Sequence, residues 1–162
     1  MILMIGQAPS RASRPGDRAL FSAAKKLGAL IGSGEDGFWR AFETVNLLGE
    51  FPGKSGKGDA FDWRAAAEGA GRIDPAGREA VVACGRGVAR ALGVKAGFLE
   101  WTIWRGAPLL VLPHPSGVNH WWNDPENREA AAAALKKAAA LIPAPPPPGT
   151  GGPTATAPCR PT

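Results

Sequence analysis

Four short β-prone runs recur along the chain, and glycine or proline closes each one. Residues 2–5 (ILMI) stop at Gly6, residues 42–48 (FETVNLL) at Gly49, residues 80–83 (AVVA) just before Gly85, and residues 109–112 (LLVL) at Pro113. Runs this short and this apolar suit strands of a parallel sheet covered on both faces. The spans between them read as helices or loops. Leu20, Ala24, Leu27 and Ile31 have helical spacing over residues 18–31. Residues 63–70 predict a short helix, and residues 85–92 another that stops at Gly93. Asp124 as N-cap and Pro125 at the first helical position start an alanine-rich helix running to about residue 142. Residues 32–37 read as a break and residues 50–62 as a glycine- and lysine-rich loop. Over residues 98–104, Leu99, Trp101 and Ile103 alternate to one side, as in an exposed or edge strand. The expected fold is therefore α/β: one domain over residues 1–142, a three-layer αβα sandwich with a mainly parallel central sheet. Residues 143–162 are Pro, Gly, Thr and Ala with almost no charge, and predict a disordered tail.

Bulk composition excludes more than it selects. Two cysteines and two histidines are too few for a disulfide framework, a four-cysteine site or a histidine-rich metal centre, so no cofactor or metal is expected. Cys84 ends an apolar run and reads as a core thiol. No apolar stretch approaches the ~20 residues that span a bilayer, and residues 1–5 are too short for a signal peptide. A cytoplasmic chain with no membrane partner is expected. The formal charge of +5 permits a polyanionic partner without requiring one.

In open α/β sheets, ligands bind where strands end in loops. Three such loops carry chemistry. The first, GQAPSR over residues 6–11, offers a tight turn at Gly6, exposed amides, and arginines Arg11 and Arg14 for phosphate. Taken alone it reads more simply as an ordinary turn between strand and helix. The second strand carries Asn46 inside an apolar run. Its amide is either satisfied by backbone or presented to a ligand, where it can accept from a ring N–H and donate to the neighbouring carbonyl. The third, PHPSGVNHWWND over residues 113–124, holds His114 between two prolines. Ser116 and Gly117 offer donors, Val118 an apolar loop tip, and Trp121 and Trp122 rings that pack under the loop or touch a ligand. Gly53-Lys54-Ser55 looks like part of a phosphate-binding P-loop, but the earlier glycine that motif needs is Leu48 here. Lys54 and Lys57 read as solvated or, less simply, as facing a polyanion such as DNA.

Together these loops resemble the motifs of the uracil-DNA glycosylase superfamily. GQAPS is similar to its first motif, Asn46 in TVNLL to its uracil-reading asparagine, and HPSGVN to its second motif. Val82–Gly85 followed by a helix resembles a further strand–helix unit. The resemblance implies a monofunctional DNA glycosylase that flips uracil, or a related modified or mismatched pyrimidine, out of DNA and hydrolyses its N-glycosidic bond. His114 would donate to the 2-carbonyl of the departing base, with Gln7 beside the same pocket. Asn46 would read the base edge, Gly6 and Ala8 would line the pocket, and Phe21, or failing it Leu20, would stack on the base. Val118 would wedge into the duplex, with Ser116, Gly117, Asn119 and Arg11 on the DNA. The chain would work as a monomer, associated with the nucleoid.

The best-known branch has aspartate where this chain has Ala8, and that carboxylate positions water. Another branch binds an iron–sulfur cluster through four cysteines that are missing here. Water handling would then fall to Gln7 or to an acid such as Asp17 or Asp59. Ala8 also leaves open a catalytically degenerate DNA-binding protein of the same fold. A small hydrolase-like enzyme acting on free nucleosides is a blander alternative.

Overall fold

The computed structural model describes residues 1–14, 16–56 and 58–142, with Phe21 described in its backbone only. The disordered tail expected over residues 143–162 lies outside the described residues, as does Lys57.

Among the described residues, seven strands and five α-helices follow one another: β1 (Ile2–Gly6), α1 (Phe21–Leu30), α2 (Gly34–Ala41), β2 (Phe42–Asn46), β3 (Lys54–Ser55), β4 (Gly58–Asp59), α3 (Trp63–Arg72), β5 (Val81–Cys84), α4 (Arg86–Ala91), β6 (Trp101–Trp104), β7 (Ala107–Leu112) and α5 (Pro125–Ala139). Five strands form one sheet in the order β2-β1-β5-β7-β6. The first four are parallel, and β6 runs antiparallel at the edge.

Alternation along the buried strands divides the interior in two. Ile2, Met4, Val82, Cys84, Leu110 and Leu112 face one core, which α1, α2 and α5 cover with Ala24, Leu27, Phe38 and Leu135. Leu3, Ile5, Val81, Ala83, Leu109 and Val111 face the other, under Ala66 and Ala70 of α3 and Val88 and Ala89 of α4. This is the three-layer αβα sandwich. Each fully buried Val, Leu or Ile contributes about 1.5–3 kcal/mol. Two-sided burial is therefore the main restraint on strand register, since a one-residue slip would exchange the two cores. Cys84 is wholly buried in this interior, which pushes its thiol up to about 12.

Three local readings change. Residues 32–37 are not a plain break, because α2 starts at Gly34. Glu35 and Asp36 favour the positive end of that helix, and Phe38 anchors it with no exposed surface. The first helix begins at Phe21, not near residue 18, because Leu20 takes a left-handed conformation with φ 57°. The loop over residues 50–62 contains the small antiparallel hairpin β3–β4.

Register sets the business edge of the sheet. Gly6 pairs with Asn46, and Cys84 with Leu112. All four parallel strands thus end close to one level. The chain leaves β1 towards β2 on one side, whereas β5 and β7 lie on the other. The loops after β1 and β5 diverge there, and a crevice opens between them.

Candidate active site

A cavity of about 290 Å³ sits at this edge, lined by Gln7, Ala8, Asn46, Asp59, His114 and Ser116 together with residues of the first loop. Two side chains expected to share a pocket, Asn46 at the end of β2 and His114 just after β7, both line it.

His114 is positioned by its own backbone. Its carbonyl accepts from Asn119 Nδ2 at 2.9 Å and from Trp122 Nε1 at 2.8 Å. Pro113 and Pro115 on either side are buried. On the β5 side Gly85, at φ 104°, passes close beneath, and a Cβ there would stand 3.3 Å from the His114 Cβ. Burial lowers the His114 pKa from its ordinary value, and nearby Asp59 only partly opposes this. The imidazole is therefore neutral at neutral pH, with one N–H to donate.

Asn46 ends β2 beside Gly6. A Cβ on residue 6 would lie 2.5 Å from Asn46 Oδ1 and 2.8 Å from Leu20 Cδ2, so only glycine lets the amide and Leu20 close over β1. Asn46 Oδ1 is buried and has no hydrogen-bond partner among the described residues. Leaving such an acceptor unsatisfied costs about 1–3 kcal/mol, which a ligand N–H would recover.

The first loop closes one side. Gln7 Nε2 donates to the Ala60 carbonyl at 2.9 Å, which ties β1 to the segment just after β4. The Gln7 carbonyl accepts from the Leu48 amide at 2.9 Å. Arg14 and Arg18 also line the cavity, and the Arg18 guanidinium lies 4.9 Å from the centre of the Trp39 ring.

Other expected site residues fall outside the cavity wall. Arg11 and Gly117 are exposed near it, and Val118 is 81% exposed at its loop tip. Asn119 uses its side chain within the loop, donating to His114 and accepting from the Trp121 amide at 3.2 Å, so it is a loop clamp and not a free surface contact. The Phe21 side chain lies outside the described residues, whereas Leu20 lines the cavity. Trp122 is buried, and Trp121 packs against the core with it. Lys54 is exposed but pairs with Asp59.

Sequence reading missed Arg18, Ser10 and Ser13 as cavity residues. Ser10 and Ser13 had only their place in the segment after β1 as a signal, and Arg18 was hidden by the helix expected to start there. Among the described residues no group of three His, Cys, Asp or Glu is placed to hold a metal ion, and no helix is long and apolar enough to cross a membrane. No family model and no curated protein sequence matches this chain.

Proposed function

We propose that the protein is a monofunctional DNA glycosylase that hydrolyses the N-glycosidic bond of uracil, or of a related modified or mismatched pyrimidine, after flipping it from DNA. The observation that carries this reading is one cavity shared by a neutral imidazole and a buried carboxamide whose oxygen lacks a donor among the described residues. Uracil and thymine carry a ring N–H between two carbonyls. Asn46 accepts from that N–H and donates to the adjacent carbonyl, a pattern cytosine does not offer.

Breaking the glycosidic bond leaves negative charge on the base and positive charge on the sugar. The His114 N–H, fixed by its clamped backbone, stabilises the anion at the 2-carbonyl, and one such donor is worth about 10²–10³ in rate. Extruding the base costs a few kcal/mol, which the exposed Val118 offsets by filling the gap in the stack. Ser116, Gly117 and Arg11 meet the phosphates. The chain works as a monomer on nucleoid DNA in the cytoplasm.

The test is a panel of oligonucleotides, each with one uracil, thymine mismatch or modified pyrimidine, treated with protein and then with hot alkali. Strand breaks at the pyrimidine are expected. His114→Ala should slow single-turnover cleavage by about 10²–10³. Asn46→Ala should chiefly relax the choice of base. Ala8, which stands where the best-known branch of the superfamily has its water-positioning aspartate, favours a second reading as a DNA binder; intact strands with a mobility shift select it. Cleavage of free deoxyuridine in preference to DNA would point to a nucleoside hydrolase.

A further inference from the structure

The geometry points to Asp59 as the carboxylate that orients and deprotonates the attacking water, the role left vacant by Ala8. This assignment rests on the glycosylase reading. Among the described residues, two carboxylates line the cavity, those of Asp17 and Asp59. Asp17 is engaged in its own turn, where Oδ2 accepts from the Arg14 amide at 2.7 Å. Asp59 stands near enough to the imidazole to act on it electrostatically.

The fold has a device that holds Asp59 there. It ends β4 of the hairpin, in register with Lys54 of β3. Lys54 Nζ pairs with Asp59 Oδ1, and Oδ2 has no partner among the described residues. The Ala60 amide donates to the Gly53 carbonyl at 3.0 Å and closes the base of the hairpin. The Ala60 carbonyl in turn receives the Gln7 amide at 2.9 Å. Gln7 is thus a positioning residue, joining the first loop to the residue that follows Asp59. One carboxylate oxygen is anchored on Lys54, and Asp59 lines the cavity that has His114 on its wall.

The step balances without a co-reactant other than water. The C1′–N bond breaks, and its electron pair leaves on the base, where the His114 N–H holds it. The water oxygen bonds to C1′, and the proton it sheds passes to Asp59. The base anion then takes a proton from solvent. Before attack, the carboxylate also opposes the positive charge growing on the sugar.

Single-turnover cleavage and DNA affinity are measured for wild type, Asp59→Asn and Asp59→Ala on the best substrate of the panel. The Asp59 side chain is 42% exposed, so both variants should unfold at the wild-type midpoint. The rate should fall about 10²–10⁴ in each, with DNA affinity unchanged. Sodium formate should restore part of the rate to Asp59→Ala, which leaves room for it, and none to Asp59→Asn. A loss that formate does not repair in the alanine variant overturns the assignment. So does full recovery in Lys54→Met/Asp59→Asn, which would mean that Asp59 serves only to neutralise Lys54. An active wild type with active Asp59 variants overturns the assignment alone. A wild type inactive on every base overturns the glycosylase reading and this assignment with it.

Discussion

His114 binds a proton less readily in the folded protein than an ordinary histidine does, because burial disfavours its charged form. As pH falls below about 6.5 the unfolded chain takes up this proton first. Folding then loses stability, progressively, until pH drops below the depressed folded value. Above that window the contribution is fully present. We expect the stability of wild type relative to His114→Gln to decline between pH 7.5 and 5.5 in urea unfolding. A constant difference over that range would mean that the imidazole is not desolvated. The lowered value also keeps the imidazole neutral at neutral pH, as a hydrogen-bond donor to a developing anion requires.

At the level of elements, the loop after β7 is held by side chains that the sequence offered as ligand contacts. Asn119 and Trp122 both donate to the His114 carbonyl, and Asn119 also caps the short helical turn His120–Asn123. Each bond contributes about 0.5–1.5 kcal/mol. Asn119→Ala should therefore cost about 1–2 kcal/mol in unfolding free energy and slow cleavage, with DNA affinity held. If affinity falls and stability holds, Asn119 touches DNA and the clamp is incidental. Downstream, Asp124 accepts from the Glu126 amide at 2.9 Å with Pro125 in the first turn, as the local sequence signalled.

For the whole molecule, the arginines of the first loop gather at one edge of the sheet, with Arg14 and Arg18 on the cavity wall and Arg11 exposed nearby. If each neutralises one phosphate, affinity for duplex DNA should fall with a log–log salt slope of about −2.7, or roughly 40-fold between 50 and 200 mM salt. Fluorescence anisotropy measures this directly. An affinity indifferent to salt would remove DNA as the partner and leave the cavity to a small neutral ligand.

The strands of the main sheet, the two-sided burial and the long final helix were legible in the chain because they follow from local composition: apolar runs, a glycine stop, an Asp-Pro start. The helix over Gly34–Ala41 was not, since glycines at its start hid an anchor that only Phe38 in the core makes visible. Asn46 and His114 stood out as residues in unusual surroundings, and the sequence alone left Asn46 open between structural amide and ligand reader. Their meeting in one cavity, the hairpin that brings Asp59 to it, and the use of Asn119 inside its loop were decided by tertiary structure. The physical reason is register: pairing Gly6 with Asn46 and Cys84 with Leu112 sets where distant loops end, and no short stretch of sequence encodes that level.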